Sequence, residues 1–269
     1  MSLRDLIDEK ARDRVWRDRR GTTSLIGLID DHLKAKSTGP RRPGFHPSDM
    51  GYTFCPRFFA LAGLGLVVRD RTITPQLQRI FDNGHFMHDR MNSYVRELGV
   101  LTQRPEILER GMKRGRKRLA LEVRLDHPVG ITGNADAVLE LDGFLEVGDY
   151  KSANDAVFRR LVAPLPYNER QLTVYLGMLD HLYEGDPPLP LRGRFLYESK
   201  NDQSLREFIV PWDEHHQELF AQLIRYLEIV NQAVAQDTPE LAPCIPSCGK
   251  CEGYGTIDEL RSRPKVVDR

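Results

Sequence analysis

Residues 131–153, ITGNADAVLELDGFLEVGDYKSA, hold two alternating apolar runs on either side of an Asp142-Gly143 pair. Asp-Gly suits the two central positions of a hairpin turn whose backbone twist matches that of the flanking strands, so the segment predicts a two-residue β-hairpin. The turn sets the register: Leu141 opposes Phe144, and the pairing continues in step until Asp136 stands opposite Asp149. Side chains alternate faces along a strand, so Asp149 and Lys151 share one face and Tyr150 takes the other. Opposed β-carbons lie about 4.5–5.5 Å apart, where like charges destabilise a sheet. Two carboxylates so placed call for a cation or a shared proton. A divalent ion meets that need, since Mg²⁺ accepts one or two carboxylates together with waters and phosphate oxygens, and Lys151 then reaches a metal-bound water or the phosphate. A hairpin whose acids face solvent is the alternative.

Two helices bring further groups to this hairpin. In PQLQRIFDNGHFMHDRMNSYVRELG (75–99), Leu77, Ile80, Phe81, Gly84, His88, Met91, Val95 and Leu98 recur at three- and four-residue spacing as one apolar stripe. The stripe turns His88 toward the sheet, where a neutral imidazole could join Asp136 and Asp149 on one metal ion or rest as a hydrogen-bonded core histidine. Gln171 and Tyr175, four residues apart, are neighbours on the helix expected over 168–185.

The rest of the chain reads as one α/β domain with helical additions. Residues 1–46 form a helical arm and a Pro/Gly-rich linker, 47–258 the main domain, and 259–269 a charged tail. A serine-capped helix from 47 carries Cys55, and strands at 119–125, 131–141 and 144–153 form an antiparallel meander. Two more strands at 191–200 and 205–212 precede a long amphipathic helix over 213–236. With 269 residues, 40% hydrophobic and 29% charged, the chain has the composition of a soluble globular protein. It contains no apolar run near the roughly 20 residues needed to span a bilayer, and its charged start suits no signal peptide, so a cytoplasmic protein without a membrane partner is expected. Net charge is zero, but Arg114, Arg116, Lys117 and Arg118 concentrate positive charge in one run, which reads equally as a phosphate grip or a solvated face. Four cysteines, Cys55, Cys244, Cys248 and Cys251, are poor candidates for disulfides in a reducing compartment. Four thiolates also suit a closed zinc site.

Taken in order, Gly84 and His88 in GHFMH, Gly133 and Asp136 in GNAD, Asp149 and Lys151 in DYK, and Gln171 and Tyr175 in QLTVY resemble the motifs of RecB-like PD-(D/E)XK nucleases. Cys55 in FCPRFFAL ahead of them and the three cysteines of CIPSCGKC after them resemble the iron-sulfur subgroup. That subgroup includes the CRISPR-associated exonuclease and the nuclease domain of AddB-type helicase-nucleases. The resemblance runs from about residue 47 to 254; the C-x3-C-x2-C spacing is tighter than the family often has.

The resemblance implies a restriction-endonuclease-like α/β core, a mixed central sheet flanked by helices, with helical additions tied by a [4Fe-4S] cluster on Cys55, Cys244, Cys248 and Cys251. It also implies Mg²⁺ or Mn²⁺ held by His88, Asp136 and Asp149, with Asp136, Asp149 and Lys151 catalytic. DNA would be gripped by Gln171, Tyr175 and the Arg114–Arg118 run. The implied activity is hydrolysis of DNA ends or single strands, 5′ to 3′, in recombination, repair or replication, with a recombination, helicase or CRISPR adaptation partner. A DNA-binding module of CRISPR adaptation in which cutting is secondary is the alternative.

Overall fold

The computed structural model of the chain describes residues 24–36, 44–51, 54–67, 73–105, 107, 122–183, 188–245 and 255–263. The chain divides into two compact units, residues 1–41 with 70–83 and 269, and residues 42–69 with 84–268. In the first, the described residues are α1 (Leu25–Lys36) and the opening of α3 (Pro75–Glu97), joined by Arg79 to Asp30 at 2.5 Å. The second holds every motif singled out above.

In that unit β3 (Ala137–Leu141) and β4 (Phe144–Ala153) form the expected hairpin. Asp142 and Gly143 have φ of 55° and 79°, the left-handed pair a type I′ turn requires. The register is the one read from the turn, from Leu141↔Phe144 through Ala137↔Gly148. The chain then crosses over through α4 (Asp155–Arg160) and α5 (Pro166–Leu182) to β5 (Leu191–Ser199), which runs parallel to β4, and β6 (Leu205–Pro211) closes the sheet as an antiparallel edge. The four-stranded sheet has the order β3-β4-β5-β6 and is therefore mixed, an α/β arrangement.

Local signals explain the helices. Asn154 and Asp213 cap α4 and α6 (Glu214–Ala235) with their side chains, accepting from Val157 N and His216 N, and Pro166 opens α5, where its missing N–H is no loss. α5 is apolar on nearly every side, as befits a helix wedged between sheet and α6: Leu172, Leu176 and Leu179 are buried with Val147, Phe195 and Tyr197 in the main core. A β-carbon on Gly177 would stand 2.4 Å from the Phe220 ring, so glycine there lets α5 and α6 close.

Four expectations are corrected. The strand over 131–141 breaks at Asp136 into β2 (Ile131–Ala135), which pairs with β1 (Val123–His127) in a separate two-stranded sheet, and β3. The single meander thus becomes two sheets, because the two halves of the run hydrogen-bond to different partners. The helix from 47 is instead a 3₁₀ turn, Pro47–Met50, followed by α2 (Pro56–Gly63), with Cys55 at its N-cap. The α3 stripe is shifted: Met87 and Met91 are buried, while Ile80 and Leu98 are 47% and 73% exposed. The tail expected from 259 begins inside α7 (Ile257–Arg261), whose Leu260 packs with Leu61, Leu66 and Val67.

Candidate active site

The break at Asp136 is what builds the site. The β3–β4 ladder ends at Ala137↔Gly148, one residue short of an Asp136–Asp149 pair, and the Asp136 side chain takes the next bond: its Oδ2 accepts the Tyr150 N–H at 2.8 Å. Asp136 Oδ1 stands 3.1 Å from His88 Nδ1 on α3. Asp149, buried in the sheet, faces Lys151, whose Nζ donates to Oδ1 at 3.0 Å and lies 2.8 Å from Oδ2. Lys151 Nζ also donates to Gln171 Oε1 at 3.3 Å. Tyr175, one turn farther along α5, is buried.

Burial pushes the Asp149 carboxyl up to about 6, with the Asp136 charge adding to the rise and the Lys151 ammonium opposing it. For Asp136, burial acts upward too. The hydrogen bond and charge of His88, the Lys151 charge and the Tyr150 N–H prevail and hold it below the ordinary carboxylate value. His88 and Lys151 are both raised: burial acts against their charged forms, and Asp136 (for His88) and Asp149 with Asp136 (for Lys151) outweigh it. At neutral pH the site therefore holds two carboxylates and an ammonium in low-dielectric surroundings.

Among the described residues no three His, Cys, Asp or Glu side chains converge as a ready-made metal cage. His88 turns to Asp136 and Lys151 to Asp149, each satisfying the other's charge. The donor set nevertheless fits a hard divalent ion. The buried Asp149 carboxylate, the partly buried Asp136 carboxylate and the His88 imidazole lie near one another, and Asp149 Oδ2 makes no hydrogen bond despite its burial, although Lys151 Nζ is 2.8 Å away.

Glycines mark where the site is tight. A β-carbon on Gly133, in GNAD, would lie 2.7 Å from Pro47 Cδ and 2.9 Å from Tyr175 Cε1. Gly84, one turn before His88, has no atom of the described residues within 4 Å of where a β-carbon would stand, so packing makes no demand for it.

A family model described as the PD-(D/E)XK nuclease superfamily matches residues 101–253. The chain belongs to the PD-(D/E)XK nuclease superfamily. The matched span includes Asp136, the D-X-K run Asp149-Tyr150-Lys151, Gln171, Tyr175 and three of the cysteines, and leaves out His88 and Cys55. No curated protein matches this superfamily member in sequence. Among solved structures it is similar to SSO0001 at 14% identity and a TM-score of 0.36, over 77% of this chain and 84% of that one. It is also similar to an alkaline exonuclease, LHK-Exo, from Laribacter hongkongensis, at 12% identity and a TM-score of 0.39, over 78% and 95%. Likenesses this weak carry no argument about activity.

Arg114, Arg116, Lys117 and Arg118 fall outside the described residues, as do Cys248 and Cys251. Cys55 is buried and Cys244 exposed. Their segments adjoin, since Arg57 N donates to Pro243 O at 3.2 Å and Arg57 Nε to Ala242 O at 3.0 Å. No helix among the described residues is long and apolar enough to cross a membrane.

Sequence reasoning passed over the floor beneath Lys151. Tyr197 pairs with Lys151 in the β4–β5 register, and its hydroxyl accepts from Asn168 Nδ2 at 2.8 Å and Leu165 N at 3.2 Å. Only the parallel β5 register, which the crossover sets, brings these groups together.

Proposed function

We propose that this chain is a divalent-metal-dependent deoxyribonuclease that hydrolyses phosphodiester bonds at DNA ends or in single strands, as a 5′ to 3′ exonuclease of recombination, repair or replication. The observation that carries this reading is the grouping of Asp136, Asp149 and Lys151 where the strand breaks, with Lys151 Nζ 3.0 Å from Asp149 Oδ1. His88, Asp136 and Asp149 would hold Mg²⁺ or Mn²⁺. That ion, when bound, supplies Lewis-acid polarisation of the phosphate and a water of lowered pKa. Lys151 orients the attacking water and offsets charge that develops on the phosphate, an electrostatic role suited to a buried ammonium. Asp149, ionised at neutral pH beside it, keeps that ammonium charged.

The four cysteines would hold a [4Fe-4S] cluster with a structural role, closing the end of the domain onto its beginning. The adjoining Cys55 and Cys244 segments support this assignment. Anaerobically purified protein is then brown and contains iron and acid-labile sulfide, whereas stoichiometric zinc without iron would overturn it.

The deciding experiment incubates 5′- and 3′-end-labelled single- and double-stranded DNA with the protein in Mg²⁺, in Mn²⁺ and in chelator. Cleavage from the 5′ end in the metals, its absence in chelator and its loss in Lys151→Ala and Asp149→Ala are expected. Metal-independent cleavage, or near-normal cleavage by either variant, would refute the assignment.

A further inference from the structure

We infer that Arg90 and Glu198 are positioning residues: their ion pair sets the rotation of α3 against the sheet and so holds His88 at the metal site. The inference rests on the reading of His88 as a metal ligand for its consequence, though not for its geometry. Within the second compact unit, α3 lies on the sheet through two methionines, Met87 and Met91, which are buried with Ala137, Leu139 and Tyr150. Methionine is unbranched and fits irregular gaps in more than one rotamer, so this contact holds the helix down without fixing its turn about its own axis.

Two polar contacts flank the methionine stripe. At about 100° per residue, His88 and Arg90 stand about 80° to either side of the midline between Met87 and Met91. His88 Nδ1 reaches Asp136, just ahead of β3, at 3.1 Å, and its ring stands edge-on to Tyr150 on β4. Arg90 reaches the other way, to β5, which lies on the opposite side of β4 from β3. Its Nη2 donates to Glu198 Oε2, and its Nη1 donates to Gln203 Oε1, beyond the end of β5, at 3.0 Å. A helix tied on both flanks rolls only by breaking one of the ties.

The tie on the Arg90 side is the firmer. Glu198 shares the α3 face of the sheet with Leu196 and is only 6% exposed, so its carboxylate needs a cation, and Arg90 supplies it with both terminal nitrogens engaged. A roll of about 20° moves a side-chain tip, about 5–6 Å from the helix axis, by about 2 Å. Coordination distances tolerate only about 0.2 Å, so a roll that small takes His88 out of reach of the ion.

The test measures Mn²⁺ binding to the full chain by titration calorimetry, beside melting temperature, for wild type, Arg90→Met, the double exchange Arg90→Met with Glu198→Leu, and His88→Ala with and without that exchange. Arg90→Met alone leaves a buried carboxylate unpaired and lowers the melting temperature, whereas exchanging both partners for apolar residues removes that cost. The double exchange is expected to melt near wild type and yet bind Mn²⁺ about 10- to 100-fold more weakly, the loss that follows when the group orienting a metal ligand is removed. In His88→Ala the same exchange should cost nothing further, because the ligand being positioned is already gone. Wild-type Mn²⁺ affinity in the double exchange would overturn the inference, as would a loss that multiplies with that of His88→Ala. If wild type binds no Mn²⁺, or His88→Ala binds it as wild type does, the metal reading fails, and a crystal structure of the double exchange decides the positioning. A His88 ring moved off Asp136 Oδ1 supports it, and an unchanged 3.1 Å contact overturns it.

Discussion

Asp136→Asn separates two opposite views of the paired acids. If repulsion across the hairpin dominated, removing one charge would stabilise the fold in the absence of metal. The structure argues the reverse. Asp136 Oδ1 meets His88 Nδ1 at 3.1 Å and Oδ2 accepts the Tyr150 N–H at 2.8 Å, and its carboxyl is held below its ordinary value although the side chain is only 12% exposed. A depressed carboxyl means that the folded state prefers the ionised form, so the charge contributes stability above about pH 3.8 that is lost as pH falls through the lowered folded value. Asparagine can still accept from Tyr150 N, but it loses the charge-assisted bond to His88, worth about 1.5–3 kcal/mol. At roughly 2–4 °C per kcal/mol for a chain of this size, the melting temperature in chelator should fall by about 3–12 °C at neutral pH. Calorimetric melts of wild type and Asp136→Asn in chelator provide the measurement, repeated at successively lower pH below 3.8, where the gap between the two should narrow. An equal or higher melting temperature for the variant at pH 7 would refute the reasoning.

Three further outcomes follow from the same geometry. Gly133→Ala drives a methyl group into Pro47 and Tyr175, at 2.7 and 2.9 Å, and should lower stability by about 1–3 kcal/mol in urea titration, with DNA cleavage reduced as Tyr175 is displaced. Glu146 is fully buried between Arg192 and Arg194, and Glu146→Gln, which leaves those guanidinium groups without their shared carboxylate, should cost on the order of 3 kcal/mol by the same titration. Burial and the adjacent His181 hold His127 below its ordinary 6.5, so the unfolded chain takes up a proton there that the folded chain refuses. Stability should decline as pH drops below 6.5, and His127→Gln should make that decline shallower than in wild type, as measured by melts between pH 5 and 8.

The hairpin at the centre of the site was legible in the chain itself. Asp142 and Gly143 dictate a left-handed turn by local sterics, and a two-residue turn leaves one register, so the approach of Asp136 to Asp149 and the shared face of Asp149 and Lys151 follow from neighbouring residues alone. The order of the motifs and their division between strand and helix were legible for the same reason, since period and capping are local. What those residues could not determine is which partner each half of the 131–141 run would choose. Pairing β2 with β1 and β3 with β4 is decided by segments distant in sequence, and only that divergence turns Asp136 out of the ladder toward Tyr150 N and His88. The partners of Lys151 are likewise tertiary. Gln171 reaches it because α5 crosses over the sheet so that β5 can lie parallel to β4, and that crossover buries Tyr175, whose spacing alone suits an exposed helix face equally well. A local pattern specifies what a residue can do, and the packing of remote elements decides what it faces.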